Sequence, residues 1–291
     1  MKFKKLIIAC AAFTALIAGG CSKQQSKKAE PVLTKSQVIK KSQKTFKSGQ
    51  VIQSLRLSTD TSSQLVVANT IFGGEPTVFH ITNQTTSAGK TRTSENWATA
   101  SNLYINGSKT WYKTDLEKLT GHSYAELLSV IMNNKVIFNP DQALLNAYKM
   151  KRNKQTYTLT AKLKDPKMMS TAAEQIISTV GQSSEQEQVF RRVQKYGKFK
   201  DMTVKLVVKK KKLAAANIFV NMTLGKYMKV RLGQSYGNFG SRDFLKVPTN
   251  ALNAENLPMT EKKKTTKENK KVSKKTKKII KKSKKTTKDK K

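Results

Sequence analysis

Few residues in this chain have the type and spacing to do chemistry, and each has a bland reading beside it. Gly233-Gln234-Ser235-Tyr236-Gly237 matches the G-x-S-x-G pattern of a serine nucleophile on a strand-to-helix turn. That chemistry needs a helix directly after the serine, and an acid and a histidine later in the chain. Asn238-Phe239-Gly240-Ser241-Arg242 reads as loop, and both histidines, His80 and His122, precede Ser235. Ser235 is therefore expected at the end of a strand. His80 falls in an alternating run and His122 just before a helix start, so both are expected to be structural or surface histidines. Asp115 and Glu117 stand together at a helix start, where capping accounts for them. Two cysteines and two histidines leave no set for a zinc site, an iron–sulfur cluster or a disulfide framework. No phosphate-binding glycine motif occurs. No catalytic residue, metal or cofactor is expected.

The remaining chemistry is attachment and charge. Lys2, Lys4 and Lys5 precede an apolar run from Leu6 to Ala18, and Ala18-Gly19-Gly20 lead to Cys21. This is the layout of an export signal, and its apolar core is too short for a comfortable membrane span. A cysteine directly after small residues resembles a bacterial lipobox, although Ala18 stands where leucine is usual. The resemblance implies cleavage before Cys21 and a diacylglyceryl group on its thiol. Cys10 leaves with the signal. Acyl chains add about 0.8 kcal/mol per buried methylene, which makes a stable anchor on the outer face of a bacterial cell membrane.

The chain has 57 basic and 18 acidic residues in 291, a formal net charge of +39. Residues 260–291 hold 17 lysines against Glu261, Glu268 and Asp289. Among them are Lys262, Lys263, Lys264, Lys270, Lys271, Lys274, Lys275, Lys277, Lys278, Lys281, Lys282, Lys284 and Lys285. This segment is expected to be a disordered basic tail, because its charges repel and it has almost nothing to bury. Near an anionic wall or membrane polymer each lysine can contribute up to about 1 kcal/mol. Lys209–Lys212 is read either as a solvated hairpin tip or as a further contact to an anionic surface, aided by Lys151, Arg152, Lys154, Arg191 and Arg192. Trp97, Trp111, Tyr104 and Tyr112 could stack bases. They alternate along strands, so packing on a sheet is expected instead, and no specific nucleic-acid partner.

The elements that must position these residues follow from periodicity. Residues 22–32 read as a flexible tether after Cys21. Thr34 caps a helix carrying Val38, Ile39, Ser42 and Phe46, closed by Gly49. Strands are expected at 51–57, 64–72, 76–82 and 89–99, with a turn at Gly73-Gly74-Glu75-Pro76. Asn106-Gly107 between apolar runs predicts a type I′ hairpin, since both central positions need positive φ. Helices are expected at 124–132, capped by Ser123, and at 141–150 after Pro140. A strand at 156–163 follows. A helix from Pro166 carries Met168, Met169, Ala172, Ile176, Ile177 and Val180, with 185–195 as a second helix or its continuation. Strands at 202–208, 213–222 and 227–234 complete the order. Eight or nine strands with helices inserted between hairpins predict an α+β fold: one large curved antiparallel sheet wrapped around those helices.

Three stretches carry a family resemblance: Leu33–Phe46 (LTKSQVIKKSQKTF), Leu103–Lys113 (LYINGSKTWYK) and Leu245–Leu252 (LKVPTNAL). Together with the lipobox they resemble the LolA/LppX-like (LppX/LprG-like) lipoprotein superfamily, nearest to its Gram-positive lipoproteins of unknown function, over Leu33 to Leu257. The resemblance implies a half-open β-barrel around helices, with an apolar cavity and no catalytic residue. The expected organisation is a signal peptide at 1–20, a lipidated Cys21 and tether at 21–32, one domain at 33–259, and the tail at 260–291. The expected function is non-enzymatic: an anchored envelope lipoprotein binding an apolar or lipid-like ligand in the concave face of its sheet. The alternative is a structural or adhesive lipoprotein whose tail binds teichoic acid or other envelope polyanions.

Overall fold

The structure, a computed structural model, describes residues 31–42, 47–107, 109–177 and 191–258. Contacts divide the chain into Met1–Leu33 and Thr34–Lys291, and every described element lies in the second unit. The elements are α1 (Lys35–Ser42), β1 (Gly49–Ser58), β2 (Ser63–Gly73), β3 (Val78–Ser87), β4 (Lys90–Ala98), β5 (Leu103–Asn106) and β6 (Trp111–Thr114). Four short helices follow: α2 (Leu116–Thr120), α3 (Tyr124–Met132), α4 (Lys135–Phe138) and α5 (Gln142–Ala147). Then come β7 (Lys149–Asn153), β8 (Thr156–Leu163), α6 (Pro166–Ile177), β9 (Gly197–Lys209), β10 (Lys212–Leu224), β11 (Met228–Gly237), α7 (Thr249–Leu252) and β12 (Glu255–Asn256). Residues 191–196 are helical.

One sheet holds all twelve strands, in the order β12-β6-β5-β4-β3-β2-β1-β11-β10-β9-β8-β7. It is two meanders, β1–β6 and β7–β11, sewn together by β1 against β11, with Val51 opposite Tyr236 and Leu55 opposite Leu232. Every pair is antiparallel except β12 with β6. β12 and β7 are its two edges, so the sheet does not close on itself. The long β9–β10 pair shifts register at Leu213/Ala215 and Asn221/Met222. Such irregularities bend a strand and strengthen its twist. The expected α+β class with a large, open, mostly antiparallel sheet is what the chain forms.

Alternation decides which face is dry. In β1 Val51, Gln53, Leu55 and Leu57 are buried and Ile52 and Arg56 are exposed. In β11 Val230, Leu232, Gln234 and Tyr236 are buried. The helices inserted between hairpins cover this face with Ile131, Val136, Ile137, Leu144, Met169, Ala172 and Ile176. Burying one such side chain is worth about 1.5–3 kcal/mol, so this layer carries the domain.

The helix starts are specified locally. Ser123 and Glu126 form a reciprocal capping box, with Ser123 N–H donating to Glu126 Oε2 at 2.8 Å. That amide holds the Glu126 carboxyl below its ordinary range. Asp115, Asn134 and Asp141 cap α2, α4 and α5. Asp165 accepts from the Met168 amide at 2.8 Å and opens α6.

A second, smaller core lies on the opposite face of β3–β6. Val78, Trp97 and Tyr104 pack there with Ala251 and Ala254, joined by Trp111, Leu245 and Val247. The C-terminal segment crosses the sheet to reach it. A Cβ on Gly73 would stand 2.1 Å from Arg242 O, and Gly74 has φ +86° with Leu245 O as close. Only glycine lets that backbone pass. Ser48 holds the same segment, donating from Oγ to Asp243 and accepting from the Gly240 amide at its carbonyl.

Three local expectations are corrected. Gly49 begins β1, and residues 47 and 48 before it are not helical; the described part of α1 runs to Ser42, and Phe46 lies outside the described residues. Asn106 is the last residue of β5, paired with Trp111, so the loop is four residues long, and neither Asn106 nor Gly107 has positive φ. There the Asn106 side chain donates to Glu95 Oε2 at 3.0 Å rather than forming a type I′ turn. Finally, α5 stops at Ala147, and Lys149 and Met150 belong to β7, a strand the sequence does not announce because its residues are mostly exposed.

Candidate functional site

On the face of the sheet away from α3–α6, a cavity of about 540 Å³ opens across β7–β10. Its walls follow from register. Lys149 pairs with Thr160, Thr160 with Lys205, and Lys205 with Asn217, which places four side chains in one row. The next row is Lys162, Thr203 and Phe219. These residues alternate with the buried Leu159, Leu206 and Ile218, so they point to the other side, and Ala161 and Val204 between the two rows also line the cavity. Ala147, at the end of α5, completes the wall.

The Phe219 wall is held by a missing side chain. Phe219 lies opposite Gly233, and a Cβ there would meet the Phe219 ring at 2.9 Å and Ser54 Oγ at 2.6 Å. The glycine lets the ring lie across β11. Arg231 then stacks its guanidinium 4.3 Å above that ring, a cation–π contact that fixes it further. Lys162 approaches Asp201 at 3.7 Å, and Asp201 accepts from Asn221 Nδ2 at 2.7 Å. The cavity is thus lined by the apolar Phe219, Ala147, Ala161 and Val204 and by the basic Lys149, Lys162 and Lys205, with Thr160, Thr203 and Asn217 as hydrogen-bonding groups. Its volume suits a small organic ligand. Its chemistry suits an apolar body carrying an anionic group.

The helix-covered face is built differently. Its centre is a polar network. Asn134, fully buried between α3 and α4, accepts from the Val136 and Ile137 amides and donates to Gln234 Oε1 at 2.8 Å. Gln234 in turn donates to Tyr236 Oη at 2.9 Å, and Tyr236 Oη reaches Val130 O at 3.4 Å. Burial pushes the Tyr236 phenol up, partly offset by Asn134. Tyr124 Oη donates to Thr77 O at 2.5 Å and its ring edges onto Phe79. The helices are thereby tied to the sheet at two places. The sequence analysis expects a ligand on this helix-covered face; the 540 Å³ cavity lined by described residues lies on the other one.

The residues singled out for chemistry are scattered. Ser235 is in mid-sheet within β11, between Ile52 and Asn217, with strand and loop rather than a helix directly after it. The G-x-S-x-G pattern is strand, and its first glycine serves Phe219. His80 stacks on Trp97 at 4.3 Å and meets Glu95 Oε1 at 2.9 Å. Partial burial pushes the Glu95 carboxyl up, but donors from Asn106, His80 and Trp97 outweigh it and hold the carboxyl low. His122 is half exposed beside Glu126. Trp97 and Tyr104 are in the second core, as sheet packing requires. Arg191 and Arg192 are exposed in the helical residues 191–196. Cys21, Val180 and the tail lysines lie outside the described residues. Among the described residues no helix is long and apolar enough to cross a membrane. The cavity residues were not singled out from sequence. Lys149, Lys162 and Lys205 stand on exposed positions of β7, β8 and β9, and only the pairing of those strands brings them together.

Comparison with known proteins places the chain as follows. Among solved structures it is similar to LprF from Mycobacterium bovis, at 11% identity over 75% of this chain and 97% of that one, with a TM-score of 0.39. It is also similar to the LolA superfamily protein NE2245 from Nitrosomonas europaea, at 12% identity over 74% and 99%, with a TM-score of 0.24. No curated protein matches the chain. A family model matches residues 26–256, so the chain belongs to DUF6612, a family of unknown function.

Proposed function

We propose that this chain is a non-enzymatic lipoprotein of the bacterial cell envelope that binds an amphiphile with an anionic head. Acylated Cys21 holds it to the outer face of the cell membrane. The observation that carries the reading is the β7–β10 cavity, which Lys149, Lys162 and Lys205 line together with the apolar Phe219. A lipid-like ligand would lay its apolar part on Phe219 and its head against the lysines. The threonine hydroxyls and Asn217 would satisfy the head's remaining acceptors. The export signal, the cysteine after small residues and the resemblance to envelope lipoproteins support the location.

The test is native mass spectrometry of residues 22–291, followed by organic extraction, with dioleoyl phosphatidylglycerol as the added probe. The expected result is a stoichiometric lipid adduct that Lys205→Glu and Phe219→Ala each reduce at least tenfold in affinity. Circular dichroism on each variant checks that the sheet is intact. A clean apo mass with no uptake of the probe would overturn the ligand reading and leave the Lys-rich tail as the functional part.

A further inference from the structure

The hairpin tips at one end of the sheet hold the most concentrated charge among the described residues. β7 and β8 are joined by Lys154-Gln155, and β9 and β10 by Lys210-Lys211. Thr156 pairs with Lys209, and Lys210 N–H donates to Gln155 O at 3.0 Å, so the two tips are bonded side by side. Lys151, Arg152, Lys154, Lys209, Lys210, Lys211 and Lys212 are all exposed there. Neither 149–156 nor 207–214 contains an acidic residue. Arg152 is held in place by its Nε bond to Lys154 O at 2.9 Å and by the Tyr157 ring.

The backbone gives these lysines a meaning that charge alone does not. Lys154, Lys210 and Lys211 have φ of +51°, +50° and +64°. Asparagine and glycine take this left-handed region easily, and a two-residue hairpin favours them strongly. Lysine occupies it against local preference at all three positions. An unfavourable conformation kept at an exposed tip points to a demand made from outside the fold.

We propose that this pair of hairpin tips is a docking surface for an anionic lipid membrane. Bonded side by side, the two tips present their basic side chains together as one exposed row at the end of the sheet. A row of ammonium groups at the end of a sheet suits a plane of headgroup phosphates. The proposal goes beyond the cavity reading and needs no cavity ligand.

The test uses residues 22–291, which contain every described element and no acyl chain. Binding to phosphatidylcholine vesicles containing phosphatidylglycerol is measured by co-sedimentation across a salt series. One variant carries Lys154→Gly, Lys210→Asn and Lys211→Gly, residues that suit the turns better. A charge-matched control carries Lys40→Gln, Lys90→Gln and Lys226→Gln; all three positions are exposed, and Lys90 and Lys226 sit at turns on the opposite end of the strands. The tip variant is expected to bind about tenfold or more weakly than the control at low salt, while its Tm stays equal or rises. That opposition separates lost contact from lost fold. Equal weakening by both variants would overturn the proposal, as would equal binding to neutral vesicles. Binding confined to soluble polyphosphate would replace the membrane with a free polyanion.

Discussion

Asn134→Ala should loosen the helices from the sheet, and its magnitude follows from four hydrogen-bonding contacts. The Asn134 side chain caps α4 through the Val136 and Ile137 amides, and losing such a cap costs about 1 kcal/mol. It also donates to Gln234 Oε1 at 2.8 Å and reaches Tyr236 Oη at 3.5 Å. Gln234 is fully buried, and an orphaned buried acceptor costs about 1–3 kcal/mol. The total is about 2–4 kcal/mol, a large part of the stability of an ordinary domain. The assay is urea unfolding followed by tryptophan fluorescence and circular dichroism, with the midpoint shifted and the slope unchanged. Asn134→Asp separates the contributions, since it keeps the cap acceptor and can offer Gln234 a donor only while its carboxyl is protonated. It should fall between wild type and Asn134→Ala at low pH and drop further once the buried carboxylate ionises. A loss below about 1 kcal/mol in Asn134→Ala would refute the claim that this network holds α3 and α4 on β11.

Two further outcomes are expected. Tyr148 is buried, its hydroxyl meets no hydrogen-bond partner among the described residues, and burial pushes its phenol up. Folding therefore favours the protonated form, so its contribution is complete below the unfolded tyrosine value of about 10 and is lost as pH rises above it. Tyr148→Phe should be neutral or stabilising by about 1 kcal/mol at pH 7, with a shallower alkaline loss in a Tm-versus-pH series. Gly233→Ala places a Cβ against the Phe219 ring and Ser54 Oγ; it should cost about 1–3 kcal/mol and lower phosphatidylglycerol uptake by displacing that ring.

Much of the sheet was legible because its strands are half-buried. In β1, β2, β9, β10 and β11 the apolar residues alternate; the expected strands cover most of β1, β2, β10 and β11 and the second half of β9. Ser123 and the Asp165-Pro166 pair announced helix starts because capping is a local bond between neighbours, whereas Asp141, read as the first helical residue after Pro140, is itself the cap. The failures have local causes as well. Asn106-Gly107 has the composition of a tight turn, but Asn106 is drawn into β5 by its pairing with Trp111 and its bond to Glu95. β7 has almost no buried face and therefore no period to read.

The sequence alone determined the class of fold, the basic character of the chain and the packing role of the strand aromatics Trp97 and Tyr104. Each depends on composition or on residues a few positions apart. Only the tertiary structure decided which strands adjoin. The pairing of β1 with β11 joins residues nearly 190 positions apart in the chain, and β8 with β9 spans the whole of α6. The cavity needs Lys149, Lys162, Lys205 and Phe219 from four strands, and Gly233 from a fifth, brought together by register. The basic row needs two hairpins whose tips meet only because β8 lies beside β9. Hydrophobic period tells a strand which face to bury but not which neighbour to choose, because any strand of the same period offers the same hydrogen bonds.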